Sequence, residues 1–162
     1  MTKLNYAILL FSLLTVSFLS AQESFPEATV MNEKGERVQL HEYVKSGSPK
    51  IISLWATWCG PCRMELNGLK NVADDWKEKY DLEIVTVSVD VPAMVNRARK
   101  MAEVNGWDYT FMHDADQKLL SDLNLNSIPH SWLVDGDGKI LSVMVGYSSN
   151  YEKQLERKLK SL

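Results

Sequence analysis

Lys50-Ile-Ile-Ser-Leu-Trp-Ala-Thr-Trp-Cys-Gly-Pro-Cys-Arg-Met-Glu65 reads as a buried strand running into a helix, with two cysteines at the junction. Ile51, Ile52, Leu54, Trp55 and Ala56 form the short apolar run of a central strand, and Met64, Leu69, Val72, Ala73 and Trp76 recur at helical spacing. Cys59 therefore falls at a helix N-terminus. Unpaired backbone N–H groups and the positive end of the helix dipole favour a thiolate there, and the thiolate is the nucleophile of disulfide exchange. Cys62 lies one turn further in, close enough to attack a mixed disulfide on Cys59. Pro61 is tolerated in the first turn, where its missing N–H costs nothing, and Gly60 lets another backbone approach.

Outside this stretch there are no further cysteines. A disulfide across so short a loop removes little entropy from the unfolded chain, so the value of the pair is reactivity rather than stapling. The 162 residues, 45% hydrophobic and 24% charged, suit one domain around a single core. A net charge of −3 lacks the basic excess of a nucleic-acid-binding protein, and no nucleic acid partner is expected. His41, His113 and His130 are not at clustered ligand spacing, and a closed zinc or copper site needs more soft ligands than one cysteine pair. No metal and no other cofactor is expected. A metal-binding module and a noncatalytic partner-binding domain stay as the competing classes.

Lys3, the apolar run Tyr6 to Leu19 and the small residues Ser20 and Ala21 have the order of a secretory signal, with cleavage after Ala21. Residues 1–21 are then a leader and 22–162 the domain. The alternative is an uncleaved anchor, although the run is short for spanning a bilayer. Contact with a membrane is expected only in that case. No cysteine follows the run, so lipid attachment is not indicated. In both cases the domain faces an oxidising, extracytoplasmic compartment.

Along the rest of the chain, 27–40 reads as two short strands around a turn at Asn32 to Gly35. His41 to Lys45 predicts one helical turn. A single helix is expected from Pro61 to Tyr80, then a β-branched strand from Leu82 to Asp90, which gives a βαβ unit with a parallel sheet. Pro92 opens a helix through Asn105 with Met94, Val95, Ala98, Met101, Ala102 and Val104 as its apolar positions, and Gly106 ends it. Trp107 to Met112 predicts a short strand and Asp116 to Leu123 a short helix. Ser131 to Asp135 and Lys139 to Val145 flank a turn at Asp135 to Gly138, a hairpin signal, and Asn150 begins an amphipathic helix with Leu155 and Leu159 inward.

Trp58-Cys-Gly-Pro-Cys62 resembles the redox motif of the thioredoxin superfamily. The longer run from Trp55 to Cys62, followed by Glu65, looks like the extracytoplasmic TlpA/ResA-like branch. The resemblance implies an α/β thioredoxin-like fold, a central mixed sheet flanked by helices, with an N-terminal hairpin and a βα insertion at 107–123. It implies a cis peptide at Pro129, opposite the motif, where Ile128 offers backbone groups to an extended substrate segment. Trp58 would form a wall of the partner-binding face, and Trp55 would be core.

A glutamate matching Glu65 lies near the cysteines in this branch and influences their protonation. Ser53 stands where cytosolic thioredoxin carries a buried aspartate, so Glu65 is expected to take over as proton acceptor for Cys62. The competing reading of Glu65 is an exposed first-turn acid favoured by the helix dipole. His130 follows the proline. Strand alternation leaves open whether it favours the Cys59 thiolate as an imidazolium or points to solvent at the rim. The expected function is a thiol–disulfide oxidoreductase of the extracytoplasm or periplasm that reduces protein disulfides through Cys59 and Cys62. Cytochrome c maturation is a candidate setting, a membrane protein a candidate electron donor, and a disulfide-forming oxidant the alternative.

Overall fold

A computed structural model describes residues 23–162, and the expected leader at 1–21 lies outside the described residues. Asn32 starts the first hairpin. Its Oδ1 accepts the backbone N–H groups of Lys34 and Glu36, each at 2.9 Å, and Gly35 takes the left-handed φ of +79° that the turn requires. This joins β1 (Thr29–Asn32) to β2 (Arg37–Gln39), and α1 (Leu40–Tyr43) follows.

The cysteine stretch supplies β3 (Lys50–Trp55), all six residues of which are buried. Such a continuous run belongs in the middle of a sheet covered on both faces. It pairs parallel with β4 (Glu83–Ser88) and antiparallel with β6 (His130–Val134). With β5 (Thr110–His113) and β7 (Ile140–Val145), the described residues form a seven-stranded mixed sheet in the order β2-β1-β5-β4-β3-β6-β7. This is the thioredoxin-like α/β fold that the motif implied.

The helix expected over 61–80 is two helices, α2 (Gly60–Lys70) and α3 (Ala73–Tyr80). Asn71 and Val72, both weak helix formers, donate to carbonyls three residues back, Gly68 at 3.1 Å and Leu69 at 3.0 Å, and so close the first helix. Pro92–Met94 is a 3-10 turn ahead of α4 (Val95–Asn105), which ends at Gly106 with φ +64°. Val104, expected to pack, is 73% exposed. Strand β5 begins three residues later than the pattern suggested. Trp107 instead leaves the sheet to pack edge-to-face on Trp55 at 5.2 Å, with its Nε1 donating to Asn67 Oδ1 at 2.8 Å. The short α5 (Leu119–Asp122) is held by Asp114, whose carboxylate accepts the Leu119 N–H at 2.8 Å.

Helix α6 (Tyr151–Leu159) closes the fold with Leu155 and Leu159 buried, as the spacing predicts. It lies beside α2 so closely that a Cβ on Gly68 would collide with the Glu152 carboxylate. Two apolar clusters result, one on each face of the sheet. The first gathers Ile51, Trp55, Leu133 and the inner faces of α2 and α6. The second gathers Ile52, Leu54, Val85, Val87, Trp132 and Val134 under Phe25, Val30 and Leu40. The cysteines belong to the first.

Candidate active site

Strand β3 ends at Trp55, and the chain turns through Ala56 to Cys59, whose N–H donates to the Ala56 carbonyl at 3.0 Å. A buried acid pins this turn. The Asp90 carboxylate accepts the Thr57 N–H at 2.8 Å, the Thr57 hydroxyl at 2.7 Å and the Ser88 hydroxyl at 3.0 Å. Trp58, held between Thr57 and Cys59, is 70% exposed.

Cys59 is the N-cap of α2 and is joined to Cys62 by a disulfide. Its Sγ also accepts the Cys62 N–H at 3.2 Å, a donor that favours negative charge on this sulfur once the bond is reduced. Cys62 is fully buried and Cys59 nearly so. Pro61 sits in the first helical turn, and among the described residues no atom beyond Gly60's chain neighbours and the helix's own backbone lies within 4 Å of where a Cβ on Gly60 would stand, so the space beside Gly60 is open. The Ile128–Pro129 peptide is cis, and the Ile128 carbonyl lies 3.9 Å from Cys59 Sγ. Trp58, Gly60, Pro61, Ile128 and Pro129 thus surround the dithiol.

Beneath it lies a carboxyl. Glu65, one turn after Cys62 on α2, is fully buried, so its reading as an exposed first-turn acid does not hold. Its Oε1 accepts the Ser53 hydroxyl at 2.7 Å, and Oε2 is enclosed without a partner. Burial pushes the carboxyl up to about 7, against the opposing pull of hydroxyls on Ser53, Tyr151 and Ser131, while the nearby Glu152 charge pushes the same way as burial. A group titrating there can hold or release a proton at neutral pH. Ser131 is the register partner of Ser53 across β3 and β6, and its hydroxyl meets that of Tyr151 at 2.9 Å.

His130 meets neither of its two readings. It is 9% exposed and shares a strand face with Trp132, on which it stacks at 4.4 Å between ring centroids. That face belongs to the second cluster, across the sheet from α2 and the cysteines. Burial lowers its pKa, which favours a neutral imidazole. Three residues of the site escaped the sequence reading. Asp90 closes the β-branched run from Leu82, Ser131 interrupts an apolar strand, and Tyr151 precedes Leu155 by one helical turn on the same inward face. Spacing alone marks the last as inward-facing, but not its contact with Ser131.

The AhpC/TSA family model matches residues 21–143. The thiol-disulfide oxidoreductase ResA of Bacillus thuringiensis is 26% identical over 137 residues, 85% of this chain and 75% of that protein. The thioredoxin-like protein YneN of Bacillus subtilis is 28% identical over 135 residues, 83% and 75% of the two chains. Among solved structures, an uncharacterized thioredoxin-like protein from Porphyromonas gingivalis superposes with a TM-score of 0.76 at 32% identity, covering 85% of this chain and 90% of its own. Fold, motif and relatives agree, and the chain belongs to the AhpC/TSA family, in the TlpA/ResA-like branch of the thioredoxin superfamily.

Proposed function

We propose that this thiol–disulfide oxidoreductase reduces disulfides of protein partners outside the cytoplasm, with Glu65 managing the proton of its resolving cysteine. In the reduced enzyme the Cys59 thiolate, favoured by the helix terminus and the Cys62 N–H, attacks one sulfur of a partner disulfide. A mixed disulfide forms and the first partner thiolate leaves. Cys62 then passes its proton to the Glu65 carboxylate and attacks Cys59 Sγ. This forms the Cys59–Cys62 disulfide and releases the second partner thiolate, so two electrons have moved from the enzyme to the partner. Trp58, Gly60, Pro61, Ile128 and Pro129 form the face on which an extended partner segment lies, and the free backbone of Ile128 suits strand-like pairing.

The buried carboxyl carries this reading. A structural pair would gain nothing from an enclosed acid with one bare oxygen, whereas an acid titrating near 7 suits proton exchange with a thiol. The signal-like residues 1–21 and the likeness to a relative named thiol-disulfide oxidoreductase support a place outside the cytoplasm, with cytochrome c maturation as a setting and a membrane protein as the electron source. The test is rapid acid quenching of cells followed by alkylation of free thiols. A mainly reduced pair is expected of a reductase with a dedicated electron supply, and a pair found oxidised even when that supply is intact would point to the oxidising direction.

A further inference from the structure

The Glu65 carboxyl is enclosed more tightly than one hydrogen bond can serve. Ser53 satisfies Oε1, while buried Oε2 has no partner. An ionised Oε2 needs a donor, and a protonated one is itself a donor. The two hydroxyls that lie beside the carboxyl without bonding to Oε2 are those of Ser131 and Tyr151. They are bonded to each other at 2.9 Å, with either oxygen able to donate. Ser131 is fixed opposite Ser53 by strand register, and Tyr151 is 1% exposed at the start of α6. Resting on the reading of Glu65 as proton acceptor, we infer that the Ser131–Tyr151 hydroxyl pair reverses direction as Glu65 gains and loses its proton, which makes Tyr151 a positioning residue for the deprotonation of Cys62.

With Glu65 ionised, Ser131 donates to Tyr151 Oη and Tyr151 donates to Oε2. With Glu65 protonated, Oε2–H donates to Tyr151 Oη and Tyr151 donates to Ser131 Oγ. Only the carboxyl O–H bond forms or breaks; the two hydroxyls rotate. The titratable and charged groups that bear on Glu65 are Tyr151 and Glu152 on α6, with Cys62 one turn away on its own helix, while β3 and β6 present the hydroxyls of Ser53 and Ser131. Both hydroxyls of the pair stabilise the ionised carboxylate, so removing either raises the pH at which Glu65 becomes a base.

The test uses the reduced protein and dithiobis-nitrobenzoate, which releases one coloured thiolate when Cys59 attacks and a second when Cys62 resolves the mixed disulfide. Tyr151→Phe keeps the buried ring. It is expected to shift the pH midpoint of the second release upward by about half to one unit and to slow that release about three- to ten-fold at neutral pH, leaving the first release unchanged. Ser131→Ala is expected to shift it the same way and decides the matter if Tyr151→Phe does not fold. Neither change should add anything in a Glu65→Gln background. If Glu65→Gln removes the original midpoint but the two hydroxyl variants keep it, the hydroxyl pair is overturned alone. An unaltered profile in Glu65→Gln overturns both the pair and the role of Glu65.

Discussion

Both faces of the sheet bury apolar side chains, yet at the centre of β3 and β6 they treat polar groups in opposite ways. On the face toward α1, the middle of β3 and β6 presents Ile52, Leu54, Trp132 and Val134, and even the imidazole of His130 is stacked on an aromatic ring with burial disfavouring its charge. On the face toward α2 and α6 the same two strands place Ser53 opposite Ser131, and these hydroxyls, with Tyr151, surround a carboxyl beneath the cysteines. An apolar lining would stabilise the second face more, because an enclosed carboxyl is costly unless it is neutral or fully bonded. On the proposed function, the difference locates the chemistry: both faces hold the fold together, and one gives up some stability to keep a proton acceptor under the dithiol.

Breaking the reactive face at its nucleophiles has the largest effect. Cys59→Ser is expected to abolish turnover, and Cys62→Ser to accumulate a covalent mixed disulfide with partner proteins, seen as a shifted band on non-reducing gels that collapses with reductant. Glu65→Gln comes next. The second thiolate release should slow about ten- to hundred-fold near neutral pH and lose its inflection near 7 in stopped-flow traces, following the ionisation of Cys62 alone.

Asp90→Ala tests the clamp at the edge of that face. It strands the Thr57 N–H and hydroxyl, and urea unfolding should report a loss of about 3 kcal/mol. A smaller effect of the opposite sign distinguishes the burial of Glu65 itself. In the folded chain this carboxyl keeps its proton up to about 7 rather than its ordinary 4.5, so its contribution to stability is complete below pH 4.5 and is lost as pH rises through about 7. Glu65→Gln escapes that loss. Its stability relative to the parent should therefore improve by about 2 kcal/mol between pH 5 and pH 8, as chemical unfolding at the two pH values would register. Smallest of all is His130→Asn across the sheet, where loss of stacking on Trp132 should cost about 1 kcal/mol while the pH profile of thiolate release stays in place. A shifted profile there would dissolve the contrast between the faces.

Much of this arrangement was legible in the sequence because its signals are local. The buried run of β3, the cysteines at the start of α2 and the Asn32 to Gly35 turn each depend on neighbouring residues. The place of Glu65 on the Cys62 side of α2 was legible through their three-residue spacing, while its proposed proton role was implied by the resemblance. What escaped depends on register and on contacts between distant segments. Ser131 matters only because β6 sets it opposite Ser53, and His130 faces the wrong side because alternation from Trp132 puts it there. Tyr151 meets Ser131 only when α6 docks against α2, and Asp90 reaches Thr57 across 33 residues of chain. The break at Asn71 and Val72 was a boundary error of a different kind, since both segments kept their inward residues Leu69 and Trp76.

The central claim is that the acid under the dithiol changes protonation in the neutral range, and it is measured most directly by carbon-13 NMR titration of the Glu65 side-chain carboxyl in the disulfide-bonded protein, with Glu65→Gln identifying the resonance. A midpoint near 7 is the predicted result. A midpoint near the ordinary 4.5 would contradict it, because the carboxylate would then stay charged throughout the working range and could not take up the proton of Cys62.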